Sequence, residues 1–459
     1  MNYALRGLEG GQYKPLCEGD IKVIHELSAR LLEETGIRVT NKEVLQKFKE
    51  AGAEVDCNTS QIRIPRSLLE DAIASAPSQI LLSGRDENND LLLENNRTYM
   101  GTGGTVLYVL DPYTGERRRA TLKDLQNAAR LAESLDNLHF FMLPLYPLEL
   151  DISNVDVNRF QCGLMNTSKH VMGGVYTVEG IREVIKMAEE MAGGAEQLRK
   201  RPLVSMVTCV MSPLLMDDVY ASLLMEVAYQ GIPLVCPAEP MAGATGPVTL
   251  AGTLAISNAE TLSGLVLAQI VNRGTPTIYG TVASTMDMKN GSYLSGAVEM
   301  GLLNAASVQL ARFYDLPIYA TAGMSDSKMP DVQAGYEKAT SAMMVALAGA
   351  NFIHDAAGFL DFCSTFSFEQ MVIDDEIIGL CMRALKGIEV NENTLAEEVI
   401  KRVGPGGNFL TSKHTLDNYR NEMFFPTIGD RRSRRSWEKN GKLDALYRAR
   451  DKVHHLFSN

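Results

Sequence analysis

Residues 231–252 read GIPLVCPAEPMAGATGPVTLAG, and they hold the unit from which most of the chain is built. Gly231-Ile232-Pro233 stops a preceding helix, because glycine accepts a left-handed helix end and proline cannot prolong one. Residues 233–238 form a short apolar run of strand type, closed by Glu239. Gly243, Gly246 and Pro247 make a tight loop, and 248–271 is a long apolar helix. Pro247 suits the first helical position, where its missing N–H costs nothing.

The same strand–loop–helix pattern extends in both directions. Strand-like runs fall at 140–146, 170–175, 203–210, 233–238, 275–282, 317–322 and 351–356. They recur about every 30–40 residues, the span of a βα unit. Gly274-Thr275-Pro276 and Leu316-Pro317 repeat the helix-stopping signal. Seven such strands in series predict an α/β fold, a (β/α)8 TIM barrel, with the eighth strand unplaced and a doubly wound sheet as the alternative. Residues 1 to about 135 read as an N-terminal α+β cap, with helices at 21–35, 39–52 and 65–76. A hairpin turns there at DPYTGE, between 99–110 and 117–120. Residues 136–403 form the barrel core and 404–459 a C-terminal helical extension.

Bulk properties exclude several classes. Hydrophobic residues at 45% and charged residues at 22% support a large globular core. A formal charge of −12 repels phosphate backbones, so no nucleic-acid partner is expected. The apolar run 262–271 is too short to span a bilayer, and no membrane partner is expected. MNYALRGLEGG lacks the basic start and apolar block of a leader. Seven cysteines without a CxxC pair suit reduced thiols, hence a cytoplasmic location. A homo-oligomer is expected.

In a barrel the active site lies just after the strands. Those positions are poor in lysine and arginine and rich in aromatics, small residues and a few carboxylates, which suits a small cationic or zwitterionic ligand. Glu239 is a candidate counter-charge, and His354 a donor to a substrate carboxylate. Tyr99, Tyr279, Phe359 and Phe362 are candidate aromatic faces for a cation. The amides of Gly243 and Gly246 could hold an anion. After the 317–322 run, Gln333 is a further candidate to hold a substrate carboxylate, Met329 a candidate substrate contact and Asp326 a candidate loop contact to an anion or cofactor. Cys209, Cys236, Cys363 and His354 have no spacing that specifies zinc, so no metal is expected.

LLEETGIRV (31–39), EAGAEVD (50–56), PMAGATGPVTLAG (240–252), SNAETLSGLVLAQ (257–269) and YGTVASTMDMKNG (279–291) form an ordered set. AGMSDSKMPDVQAGYEK (322–338), IHDAAGFL (353–360), FEQMVIDDEI (368–377), GPGGNFLTSKHT (404–415) and a terminal W-x-x-x-G-K complete it. With this set the chain resembles the trimethylamine methyltransferase (MttB-like) superfamily over nearly its whole length.

The resemblance implies a TIM barrel that methylates the cobalt(I) of a corrinoid (cobalamin) on a partner protein. No Asp-x-His-x-x-Gly corrinoid motif is present, so this chain is expected to hold no cofactor tightly. The archaeal trimethylamine enzymes carry pyrrolysine in the segment matching 325–333. Here it reads SDSKMPDVQ, with Met329 a candidate for the aligned position. The chain is therefore similar to the non-pyrrolysine members that act on glycine betaine and other quaternary amines. Proline betaine, carnitine and γ-butyrobetaine are alternative substrates. A zinc-dependent corrinoid methyltransferase and a non-catalytic betaine-binding barrel are the alternative functions.

Overall fold

A computed structural model describes residues 6–458. Residues 1–5, part of the stretch in which a leader was sought, lie outside the described residues.

The central sheet contains nine strands. They are β1 (Leu8–Glu9), β2 (Arg97–Met100), β3 (Phe141–Met142), β4 (Val171–Gly174), β5 (Val204–Val207), β6 (Leu234–Val235), β7 (Thr277–Thr281), β8 (Ile318–Thr321) and β9 (Phe352–His354). Their hydrogen-bonded order is β1-β2-β9-β8-β7-β6-β5-β4-β3. β1 runs antiparallel to β2, and every other pair is parallel. Each of the seven apolar runs in the sequence holds one strand, from β3 to β9. Parallel strands are covered on both faces, which is why those runs are continuously apolar.

This sheet corrects the expectation of a closed (β/α)8 TIM barrel. It is a curled, open half-barrel of mixed direction, and its edges lie 18 Å apart. β1 forms one edge and β3 the other. Between β2 and β3 there is no continuous ladder, and isolated bridges at Gly101–Phe140 and Val106–Leu145 span the seam. After Met100 the chain runs through Gly101, Gly103 and Gly104, and a Cβ on Gly103 would sit 2.0 Å from the Asp355 amide nitrogen. The backbone passes so close to Asp355 that only glycine fits there. Residues 97–100, read as part of the cap, thus supply a parallel strand to the sheet.

Helices follow the strands in turn: α1 (Leu122–Glu133), α2 (Ile152–Asn166), α3 (Val178–Ala192), α4 (Asp218–Gln230), α5 (Leu250–Val271), α6 (Val298–Phe313), α7 (Val332–Ala348) and α8 (Phe368–Leu385). Thr177, Asp217, Asp331 and Ser367 cap α3, α4, α7 and α8 by accepting backbone N–H bonds. Gly231 ends α4 at φ +69°, as the Gly-x-Pro signal implied. α5 is apolar all round because the helices Glu18–Arg30 and Arg66–Ser75 cover its outer side. It is long and apolar enough to cross a membrane, but 83% of its most apolar stretch is buried in this protein.

The concave side of the sheet has its own core. The hairpin Ile80–Leu82/Leu91–Leu93 plugs its amino end against Tyr99, Phe140, Val235, Ile278 and Phe352. From this plug a stack of rings rises toward the carboxyl ends of the strands. Phe140 lies on Phe352 at 3.6 Å, Phe352 on Tyr319 at 5.8 Å, and Tyr319 on His354 at 3.9 Å, all within 16° of parallel.

Candidate functional site

The stack ends in a cavity of about 340 Å³ at the carboxyl ends of the strands. Strand alternation decides who reaches it. In β8 and β9 the residues facing the concave side are Tyr319, Phe352 and His354. In β7 they are Ile278 and, beyond the strand, Val282. The loops add Gly104 and Thr105 after β2, Tyr176 after β4, Cys209 after β5 and Glu239 after β6. Met324 follows β8, and Asp355, Phe362 and Cys363 follow β9. Tyr220 comes from the first turn of α4, positioned by the Asp217 cap. Tyr293 comes from the short hairpin Ser284–Met286/Tyr293–Leu294.

The lining is anionic and aromatic. Glu239 and Asp355 are carboxylates, four tyrosines and Phe362 offer rings, and no lysine or arginine takes part. Asp355 is buried and adopts φ +63°. Burial pushes its carboxyl up, but the neighbouring His354, the Thr321 hydroxyl (2.9 Å) and the Gly104 N–H bring it below the usual range. Glu239 has accessible surface because it borders the cavity, yet it sits deep in the molecule. Burial raises its pKa above the usual glutamate value, opposed by the Cys209 thiol at 3.6 Å and by His354. Burial, helped by Glu239, keeps the Cys209 thiol protonated.

His354 is 2% exposed, and its Nε2 has no hydrogen-bond partner. Its Nδ1 lies 2.9 Å from Asp355 Oδ2, an ion-pair contact that also holds the Asp355 carboxyl down, so Nε2 is the nitrogen left without a partner. Asp355 Oδ1 likewise has no side-chain partner. Buried polar atoms without partners are costly, and here they cluster at one cavity wall. A second store of strain lies beside them. Asp361, Phe362 and Cys363 are consecutive non-glycine residues at φ +55° to +57°. Each costs about 1 kcal/mol or more in that region.

Of the residues named from the sequence, Glu239, His354 and Phe362 line this cavity. Tyr99 faces the concave side but near the plug, where its hydroxyl accepts from the Leu92 N–H. Tyr279 is one position out of phase and faces α5, donating to Asn258 Oδ1 at 2.9 Å. Phe359 is core, edge-on to Phe366. Met329 is exposed, and Gln333 donates to Glu337 on the same helix. Asp326 is a brace: one of its oxygens accepts from the Ser295 N–H, the Ser295 hydroxyl and the Gly296 N–H.

The loop with Gly243 and Gly246 is closed by its own backbone bonds. The amides of Gly243, Ala244 and Gly246 are bonded to carbonyls within the loop, so they are not free to hold a carboxylate. Cys236 packs against Gly264 on the helix side, away from Cys209 and Cys363. Among the described residues no three His, Cys, Asp or Glu side chains form a group that could hold a metal ion.

Sequence reasoning missed Tyr220 and Tyr293 entirely. Neither follows a sheet strand, so no strand-end rule finds them. Asp355 and Tyr176 follow β9 and β4, and Cys209, weighed above only with zinc, follows β5.

The family model described as trimethylamine methyltransferase (MTTB) matches residues 5–459. The trimethylamine methyltransferase MttB of Desulfitobacterium hafniense is 37% identical over 452 residues, covering 98% of this chain and 91% of that protein. The glycine betaine methyltransferase of Desulfitobacterium hafniense strain Y51 is 35% identical over 451 residues, covering 98% and 93%. Among solved structures, the Methanosarcina barkeri monomethylamine methyltransferase aligns with a TM-score of 0.52 at 10% identity, covering 99% of this chain and 96% of that one. That likeness shows a shared fold.

Proposed function

The chain belongs to the trimethylamine methyltransferase family, and on that premise we propose that it demethylates a small quaternary amine of the betaine class. The methyl group passes to the cobalt of a corrinoid carried by a separate protein. The observation that carries this reading is the cavity lining: two carboxylates and five aromatic rings around a space with no lysine or arginine.

A permanently positive nitrogen is held there without any hydrogen bond of its own. Each desolvated ring face contributes about 0.5–2 kcal/mol. Ionised Asp355 supplies the firm counter-charge, and Glu239 a softer one. Nε2 of His354 gives a substrate carboxylate its donor, while Nδ1 is held beside Asp355. Tyr319, stacked beneath His354, fixes the plane of that donor.

Reduced corrinoid cobalt supplies the nucleophile that attacks the methyl carbon. The residues of this chain supply placement and exclude water. The leaving group is a neutral tertiary amine, so no side chain must deliver or remove a proton. Positive charge leaves nitrogen as the bond breaks, so a cage made largely of rings opposes turnover less than a tight ion pair would. The ordinary residues of segment 325–333 fit a substrate that is already cationic.

The test is an anaerobic assay with cob(I)alamin, following the visible spectrum for methylcobalamin. The panel is glycine betaine, proline betaine, carnitine, γ-butyrobetaine and trimethylamine. At least one betaine should give product and trimethylamine none. Product from trimethylamine alone overturns the substrate class.

A further inference from the structure

From residue 386 to residue 427 no residue is buried. This excursion is tied down at its base, where Arg383 Nε donates to the Glu422 carbonyl at 2.8 Å and Lys386 Nζ to the Asn421 carbonyl at 2.6 Å. Between those ties lie three short helices, Glu392–Leu395, Glu397–Val403 and Lys413–Glu422. Helices of this length do not hold themselves in water. Yet the excursion displays Ile388 at 88% exposure, Val390 at 72%, Leu410 at 83% and Leu416 at 70%. So many exposed aliphatic side chains in one segment mark a contact surface.

Its position and charge select the occupant. α8 runs back from the carboxyl ends of the strands, so the excursion leaves it at the amino end of the sheet. A protein that receives the methyl group must reach the cavity at the other end. The amino end also carries an open groove of about 620 Å³, between residues 11–22 and the second half of α6. Leu16, Ile21, Val308 and Phe313 give it an apolar floor, and Lys14, Lys22 and Arg312 outnumber the single Glu18 around it. The Nε of Arg312 is buried without a partner. From Ile388 to Ile400 the excursion has four glutamates and no lysine or arginine. An acidic, apolar arm and a basic, apolar groove on one chain are complementary between two copies.

We propose that residues 388–400 of one copy seat in the amino-end groove of a second copy, and reciprocally. Ile388 and Val390 enter the apolar floor, and Glu389 and Glu392 face Lys14 and Lys22. The exchange leaves both substrate cavities open on the outer ends. It is isologous and closes on two chains.

Sedimentation velocity on the full chain at micromolar concentration tests this. The wild type should sediment as a dimer or a multiple of one. K14E/K22E and E389K/E392K should each raise the dissociation constant at least tenfold, and the four changes together should restore it. Circular dichroism checks that each variant is folded. With diamide added as the two-electron oxidant, Val390→Cys should form an intermolecular disulfide with Cys17, which also lines the groove, and C17S should abolish it. A monomeric wild type, or a combined variant no tighter than its parents, overturns the proposal. So does a Val390→Cys crosslink that persists without Cys17.

Discussion

The imidazole of His354 lies flat on the ring of Tyr319, 3.9 Å between centroids and 14° from parallel. The tyrosine hydroxyl reaches Met142 Sδ at 3.7 Å and the imidazole Nδ1 reaches Asp355 at 2.9 Å, so the pair is held in place while Nε2 has no partner. This arrangement leaves Nε2 of His354 to donate to a bound ligand. His354→Phe keeps the stack and removes both nitrogens. For a betaine, kcat/KM for methyl transfer should fall ten- to a hundredfold, the value of about 1.5–3 kcal/mol for a hydrogen bond to a charged group. Binding of tetramethylammonium, which has no carboxylate, should change little, as calorimetry can read. Equal losses for both ligands would sink the carboxylate role.

Glu239 has a pKa above the usual glutamate range, burial being the main cause. Protonation removes its counter-charge, so affinity for a cation should fall as pH is lowered through that raised value. Glu239→Gln should bind weakly, by about tenfold or ~1.4 kcal/mol, and lose the pH dependence. Calorimetric titrations between pH 5 and 8 check this, and an unchanged profile in the variant would count against it.

Phe362 sets binding against backbone strain. It lines the cavity at φ +57°, and Lys328 Nζ stands 3.9 Å from its ring centroid. Phe362→Gly should leave thermal stability unchanged or raise it by about 1 kcal/mol, because glycine accepts that conformation. Methyl transfer should drop through a raised KM. A variant that is less stable and fully active would refute the assignment.

Glu260 makes a claim on stability alone. Buried in α5, it accepts from the Ser212 hydroxyl at 2.7 Å and the Leu214 N–H at 2.8 Å, and burial pushes its pKa up to about 7. A carboxyl whose folded pKa is raised stabilises fully below its unfolded value, near 4.5, and the contribution is lost as pH rises through about 7. The loss is about 3 kcal/mol at most, from roughly 1.4 kcal/mol per pKa unit. Glu260→Gln should flatten the fall in urea stability between pH 4.5 and 7.5. A variant with the wild-type slope would contradict the assignment.

Local order made much of the fold legible. Gly231-Ile232-Pro233 and its counterparts stop helices wherever they occur, and apolar runs between such stops must be strands covered on both faces. The direction and number of strands at the seam were not legible. β2 is four residues long and ends at a glycine-rich stretch whose need for glycine comes from Asp355, over 250 residues away in sequence.

The chain's own sequence therefore determined the alternation of strands and helices, the helix stops, the anionic and aromatic character of the strand ends, and the family. Only the tertiary structure decided that the sheet is open and mixed, that Tyr279 faces α5, and that Tyr176, Tyr220, Tyr293 and Tyr319 meet around one space. The physical reason is one of range. Periods of two and of 3.6 residues act between neighbours in the chain. Register, curl and the facing of separate loops are set by packing between segments that share no local spacing.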